Sequence, residues 1–132
     1  MSRVLIVEDE PMIGRILLDK MKREGHEVVW VREVAAAFAE VSRGRPDLVL
    51  LDTSLGDPDG FEVLRRWRAD PRVAEMPVVV LTEYGRPAAA PTAKSLGADE
   101  CIEKPFKPTV VARIVKNLLA RSGAAPAPPA SA

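Results

Sequence analysis

The sequence predicts an α/β fold built on a parallel sheet, with strands and helices in strict alternation. Short apolar runs recur along the chain, and segments with helical periodicity separate most of them. This alternation is typical of parallel sheets whose strands are joined by helices. The length of 132 residues suits one domain around a single core.

Five apolar runs fit short strands, at about residues 3–8, 26–31, 47–52, 77–82 and 100–103. The third run is apolar almost throughout, as expected for a central strand that is buried on both faces. Right-handed crossovers in a doubly wound sheet give the strand order 2-1-3-4-5, as in flavodoxin-like folds.

Five helices are predicted after the five strands. The first begins at Pro11, a residue favoured in the first turn, and ends near Gly25. Its periodicity predicts a packing stripe of Met12, Ile13, Ile16, Leu17 and Met21. The second and third helices cover about residues 33–43 and 60–69.

The fourth helix is expected to be short. Pro87 and Pro91 exclude a long regular helix from residue 84, so we expect one from Pro91 to Gly97. The fifth helix begins near Pro108 and ends near Gly123. We therefore predict a folded domain over residues 1–121 and an Ala/Pro-rich flexible tail or linker over 122–132.

The composition excludes several classes of protein. Nineteen basic residues balance nineteen acidic ones, so no net field favours direct nucleic-acid or membrane binding. No apolar run approaches the roughly 20 residues of a membrane span, and the strand-like start indicates no processed leader. The lone Cys101 allows no intramolecular disulfide and fits a reducing cytoplasm. With a single histidine, a structural zinc site is also disfavoured.

Four predicted strands end on residues that suit a divalent cation or a phosphoryl group. The runs VLIV, LVLL, VVVL and ECIE lead into Glu8 and Asp9, Asp52, Thr82, and Lys104, respectively. In an open parallel sheet, ligands bind at the carboxyl ends of the strands, where the strand order reverses. We therefore expect these side chains to converge on one site.

The chemistry of the set is that of Mg²⁺ and phosphoryl transfer. Asp9 and Asp52 are candidates for direct Mg²⁺ ligands, with Glu8 acting through water. Asp52 is also a possible nucleophile for aspartyl-phosphate chemistry. Lys104 and Thr82 can contact phosphoryl oxygens.

Each residue taken alone has a simpler interpretation. Asp9 or Glu10 could cap the first helix, and Asp52 could be a turn residue. Thr82 could be an ordinary strand end and Lys104 a solvated charge. Trp30 and Trp67 are expected to serve packing rather than recognition.

The ordered set resembles the receiver domain of bacterial two-component response regulators, over about residues 3–120. The matching residues are Glu8-Asp9, Asp52, Asp59-Gly60, Thr82 and Lys104-Pro105-Phe106. The resemblance implies that Asp52 is the phosphoacceptor and that Thr82 is the switch hydroxyl. It also implies that the backbone carbonyl of Ser54 binds Mg²⁺ and that the Lys104–Pro105 bond is cis.

The sequence departs from the family pattern at several positions near the site. Cys101 occupies the place of the usual Tyr or Phe that moves with the threonine. Tyr84 is either a substitute that folds over the site or a solvated loop aromatic. Glu83 replaces a small residue, and Gly56 stands where a proline is usual, with Pro58 displaced. Ser54 and Tyr84 occupy the two family positions that tune hydrolysis.

The leading hypothesis is a signalling domain, not an enzyme, that accepts a phosphoryl group on Asp52 with Mg²⁺. The donor is a sensor histidine kinase or a histidine phosphotransfer protein. The output reaches a downstream protein or a missing output domain through the face of the fourth helix, fifth strand and fifth helix. One alternative is a phosphate-independent interaction module. A flavin binder or enzyme is disfavoured because the acidic turn EDEPMIG lacks a phosphate-binding loop.

Overall fold

The computed structural model describes residues 1–56 and 58–122, which form five strands and five helices in alternation. The strands are β1 Arg3–Val7, β2 Glu27–Val31, β3 Leu48–Asp52, β4 Val78–Thr82 and β5 Glu100–Glu103. The helices are α1 Pro11–Arg23, α2 Val34–Arg43, α3 Gly60–Ala69, α4 Ala89–Ser95 and α5 Pro108–Ser122. All strand pairs are parallel, in the order β2-β1-β3-β4-β5. The predicted fold class and strand order are confirmed.

Each face of the sheet carries its own apolar layer, because successive side chains of a strand point to opposite faces. Val4 and Ile6 of β1 pack with residues of α1 and α5, whereas Leu5 and Val7 pack with residues of α2, α3 and α4. All five residues of β3 and of β4 are buried. The continuous apolar runs of these two strands therefore reflect cover from helices on both sides.

Helix α1 packs through only part of the predicted stripe. Its buried residues are Gly14, Leu17 and Met21, whereas Met12 is 72% exposed and Ile16 is 43% exposed. Met12 and Ile16 each lie two positions from Gly14, which is about 200° around a helix of 3.6 residues per turn. The stripe prediction was right for Leu17 and Met21, and for Ile13, which is partly buried against the core, and it was wrong for Met12 and Ile16. A glycine gives no hydropathy signal for the close packing that it allows, so the sequence did not indicate that Gly14 faces the core.

Helix α4 is short, as predicted, but it runs from Ala89 to Ser95 and not from Pro91 to Gly97. Pro91 is the third residue of the helix. The first four N–H groups of a helix have no intrahelical acceptor, so a proline in this turn forfeits no bond. Gly97, just after the helix, adopts a positive φ of 97°, which glycine permits most readily.

The predicted tail lies almost wholly outside the described residues, which end at Ser122. Within the described part of the chain, none of the helices combines the length and the hydropathy needed to cross a bilayer.

Candidate functional site

The parallel register brings the predicted residues to one edge of the sheet. Asp52 is the last residue of β3 and Thr82 the last of β4, whereas Glu8 and Lys104 directly follow β1 and β5. Asp52 is paired with Leu81, so Thr82 lies one position further along the neighbouring strand. The convergence that the sequence predicted is therefore a consequence of strand order and register.

Three carboxylates form a cluster at this edge. Glu8, Asp9 and Asp52 each offer one oxygen, and these oxygens lie within 4.8 Å of one another. Glu8 and Asp52 are completely buried, and Asp9 is exposed. Asp52 Oδ2 is buried and accepts no hydrogen bond among the described residues. A hard cation would supply the missing partner, so the donor set fits Mg²⁺.

Lys104 provides the positive charge of the site. Its Nζ lies 3.1 Å from Glu8 Oε1, 3.2 Å from Asp52 Oδ1 and 3.8 Å from Glu83 Oε2. Burial lowers the pKa of the Lys104 amine, but Asp52 and Glu8 outweigh it and hold that pKa above its ordinary value. Lys104 is therefore an ammonium with two buried carboxylate partners.

Glu8 titrates unusually. The pKa of Glu8 is raised to about 7, mainly by burial and next by the negative charge of Asp52. The Glu10 N–H, 3.1 Å from Glu8 Oε2, and the Lys104 ammonium oppose this rise without cancelling it. Without a cation, Glu8 therefore takes up a proton at a higher pH than an ordinary glutamate does.

The loop after β3 fixes the Asp52 carboxylate. The Ser54 N–H donates to Asp52 Oδ1 at 3.1 Å, and the Gly60 N–H donates to the Thr53 carbonyl at 3.1 Å. A Cβ atom at Gly60 would overlap the Asp52 carbonyl and approach Thr53 Cα to 2.6 Å. The absent side chain of Gly60 therefore lets helix α3 begin directly against the end of β3. Asp59 caps that helix by accepting a hydrogen bond from the Glu62 N–H.

A cavity of about 440 Å³ opens beside Asp52. Its lining includes Asp9, Asp52, Ser54, Glu83, Tyr84 and Lys104. Glu10 also lines this cavity, but its Oε1 accepts the Met12 N–H at 3.0 Å and so caps α1. The two acidic residues before Pro11 thus divide the roles that the sequence left open, with Glu10 as the cap and Asp9 in the cluster.

The residues around Thr82 depart from the family pattern as the sequence indicated. Cys101 Sγ lies 4.0 Å from Thr82 Oγ1, and burial raises the pKa of the thiol. Tyr84 is 77% exposed in the loop after β4. In this structure, a thiol and not an aromatic ring contacts the threonine, and Tyr84 has the arrangement of a solvated loop residue. The Lys104–Pro105 bond is cis, as the resemblance implied.

Two residues of the site region were missed by sequence reasoning. The Trp30 indole N–H donates to the Glu8 carbonyl at 2.9 Å, and Arg32 Nη2 donates to the Asp9 carbonyl at 3.0 Å. Both belong to β2 or directly follow it. Trp30 lies opposite Ile6 in the neighbouring strand, close to the acidic residues. This proximity could be recognised only from the register of β1 and β2, which the sequence did not provide.

Residues 4–116 match the response regulator receiver domain, and the chain belongs to this family. The phosphate regulon transcriptional regulatory protein PhoB of Pseudomonas aeruginosa is 32% identical over 120 residues, which is 91% of this chain and 52% of that protein. The DNA-binding response regulator MtrA of Mycolicibacterium smegmatis is 34% identical over 126 residues, or 96% of this chain and 54% of that protein. The chain therefore spans about half the length of these relatives.

Solved receiver domains have the same architecture. The signal receiver domain of a signal transduction histidine kinase from Syntrophus aciditrophicus superposes with a TM-score of 0.85 at 31% identity, covering 100% of this chain and 98% of that one. The receiver domain of NtrX from Brucella abortus gives a TM-score of 0.83 at 30% identity, covering 89% of this chain and 98% of that one.

Proposed function

We propose that this receiver domain accepts a phosphoryl group on Asp52 from a phosphohistidine of a sensor kinase or a histidine phosphotransfer protein. The observation that carries the proposal is the state of Asp52. Its carboxylate is buried, with one oxygen held by the Ser54 N–H and the Lys104 ammonium and the other without a hydrogen bond from any residue that the structure describes. A buried carboxylate with an unpartnered oxygen beside an open cavity is suited to nucleophilic attack.

Glu8, Asp9 and Asp52 would hold Mg²⁺, with the Ser54 carbonyl as a further ligand suggested by the family resemblance. The ion would neutralise charge on the phosphoryl oxygens and on the acidic cluster. The remaining chemistry falls to residues of this chain. Lys104 offers its ammonium to a phosphoryl oxygen, and Thr82 offers its hydroxyl to another.

The transfer itself exchanges one bond to phosphorus for another. An Asp52 oxygen forms the new O–P bond as the N–P bond of the donor phosphohistidine breaks, and the imidazole nitrogen keeps that electron pair. The product is an acyl phosphate on Asp52, which water later hydrolyses back to the carboxylate and inorganic phosphate. The first step takes the protein out of its starting state and the second returns it, so the domain acts as a switch.

The signal would pass through a small shift in population between two surface conformations. The new phosphoryl charge attracts Thr82 and Lys104, and the change spreads to the face of α4, β5 and α5. Because relatives of about twice this length include transcriptional regulators, we propose that this face contacts a downstream protein or an output domain. We propose that these exchanges occur in the cytoplasm, which the lone cysteine supports, and without direct nucleic-acid contact, which the balanced charge supports.

The test is incubation with a small phosphodonor, such as acetyl phosphate, and Mg²⁺, followed by intact mass spectrometry. We expect a labile adduct of one phosphoryl group, lost when EDTA replaces Mg²⁺ and absent from Asp52→Asn. Asp59→Asn is a matched control, because that carboxylate caps α3 outside the acidic cluster. An adduct that persists in Asp52→Asn would contradict the assignment.

A phosphate-independent interaction module is the second candidate. The observations in its favour are the contact of Cys101 with Thr82 and the second carboxylate, Glu83, near Lys104. A module of this kind would bind its partner equally well before and after treatment with the phosphodonor. The same samples, passed over the partner once it is identified, separate the two candidates.

A further inference from the structure

The main chain of the acidic pair is anchored from the edge strand β2. The Glu8 N–H donates to the Val31 carbonyl at 3.1 Å, and the Glu8 carbonyl accepts the Trp30 indole N–H at 2.9 Å. One peptide further on, the Asp9 carbonyl accepts from Arg32 Nη2 at 3.0 Å. The first of these bonds continues the strand pairing, whereas the other two come from side chains.

The indole ring of Trp30 packs directly against Gly14 of α1. Trp30 pairs with Ile6 in the sheet and packs on the face that α1 and α5 cover. A Cβ atom at Gly14 would overlap the six-membered ring and would lie 2.6 Å from Nε1. The ring therefore occupies the space that a side chain on α1 would otherwise fill, and from there its N–H reaches the Glu8 carbonyl.

We propose that Trp30, seated on Gly14, is a positioning residue for the cation site. Its hydrogen bond fixes the peptide unit between Glu8 and Asp9, and so fixes where the two carboxylates leave the main chain. Mg²⁺ requires near-ideal octahedral geometry at ~2.0–2.1 Å, so small errors in carboxylate position weaken its binding. The role rests on the proposed binding of Mg²⁺ by Glu8, Asp9 and Asp52.

Calorimetric titration of the unphosphorylated protein with Mg²⁺ tests the role directly. Trp30→Phe keeps an aromatic ring but removes the N–H, and we expect it to weaken Mg²⁺ binding about two- to tenfold, the equivalent of one lost hydrogen bond. Trp67→Phe is the matched control. The Trp67 indole N–H has no hydrogen-bond partner among the described residues, and its ring packs between the sheet and α2. This control should unfold more easily than the parent and bind Mg²⁺ with unchanged affinity.

Gly14→Ala disturbs the same hydrogen bond by displacing the Trp30 ring, and it changes no charge. The added methyl group displaces the Trp30 ring, so Mg²⁺ binding should weaken by a similar factor although the tryptophan is still present. Because both substitutions act on one hydrogen bond, the double variant should bind about as weakly as either single variant. Two independent packing defects would instead give multiplied losses.

The two tryptophans also provide a spectroscopic readout, since the chain contains no others. In Trp67→Phe, the emission of Trp30 should change with Mg²⁺ and saturate with the calorimetric isotherm. In Trp30→Phe, the emission of Trp67 should stay constant.

Besides multiplied losses in the double variant, two results would overturn the inference, and they differ in meaning. If the parent binds Mg²⁺ and both Trp30→Phe and Gly14→Ala bind it equally well, the positioning role is wrong and the proposed function stands. If the parent itself binds no Mg²⁺, the cation site and the positioning role both fail.

Discussion

Lys104 Nζ lies 3.2 Å from Asp52 Oδ1, and both side chains are almost completely buried. The same ammonium contacts Glu8, so with all groups ionised one positive charge faces two buried carboxylates and the nearby Asp9. The excess negative charge must be relieved by a proton or by a cation. The raised pKa of Glu8 and the proposed Mg²⁺ site are two outcomes of this imbalance.

Without Mg²⁺, we expect Glu8 to make the free energy of unfolding depend on pH. The pKa of Glu8 rises from 4.5 to about 7 on folding, so the folded protein holds this proton more tightly than the unfolded chain does. The stabilisation is complete below about pH 4.5 and is lost as the pH rises through about 7, by roughly 3 kcal/mol.

The measurement is urea unfolding in EDTA between pH 5 and 8, for the parent and for Glu8→Gln. Burial lowers the pKa of His26, so the contribution of His26 runs in the opposite direction in this range. Because both proteins contain His26, that contribution cancels in their difference, which isolates Glu8. Saturating Mg²⁺ should flatten the difference, since the cation favours ionised Glu8. A difference that does not vary with pH in EDTA would contradict the assignment.

Glu83 should weaken phosphorylation. Its Oε2 lies 3.8 Å from Lys104 Nζ, and its side chain is 49% exposed, so it competes for the ammonium through a largely solvated contact. Such pairs contribute less than about 1 kcal/mol, so Glu83→Gln should lower the acetyl phosphate concentration at half-saturation about two- to fivefold. Phosphorylated fractions measured on Phos-tag gels or by intact mass report this value.

Glu75→Gln is the control for Glu83, because it removes an exposed carboxylate before β4, at the opposite edge of the sheet. It should leave the half-saturation point unchanged. Equal shifts for the two variants would indicate a general effect of net charge and not a contact with Lys104.

Tyr84 should slow hydrolysis of the acyl phosphate. Its ring is exposed but lines the cavity beside Asp52, so we expect its bulk to hinder the approach of water. Tyr84→Ala should shorten the phosphoryl lifetime about threefold, which corresponds to about 0.7 kcal/mol in the barrier. Tyr84→Phe keeps the bulk and should leave the lifetime unchanged. A dephosphorylation time course measures both, and an unchanged or longer lifetime in Tyr84→Ala would refute the role.

Arg68 should be a large contributor to stability away from the site. Its guanidinium donates to the carbonyls of Gly97 and Met76 and to Asp99 Oδ2, which also accepts the Val78 N–H. Arg68→Ala removes the guanidinium donor from all three acceptors, although Asp99 Oδ2 keeps the Val78 N–H, and should cost about 2–4 kcal/mol in urea unfolding.

Arg65→Ala is the comparison for Arg68, because within the described part of the chain Arg65 forms only an exposed ion pair with Glu62 on the same helix. It should change the free energy of unfolding by less than about 0.5 kcal/mol. Equal stabilities of the two variants would contradict the prediction, because the hydrogen bonds from Arg68 of α3 to residues before β4 would then contribute nothing to the free energy of unfolding.

The sequence alone determined the fold class, the strand order and the identity of the acidic and basic residues at the sheet edge. These features follow from patterns that are local in the chain: apolar runs, their polar ends and the alternation with helices. The residues Glu8, Asp52, Thr82 and Lys104 were predicted to meet because parallel strands place their carboxyl ends on one edge.

Only the tertiary structure decided what surrounds those residues. The burial that raises the pKa of Glu8, the seat of Trp30 on Gly14 and the exposure of Met12 all depend on how helices dock against the sheet. Docking depends on side-chain shape and on the space that a glycine leaves, and neither is encoded in hydrophobic periodicity. The contacts that position the acidic pair therefore join residues about 20 positions apart, which no local pattern in the sequence connects.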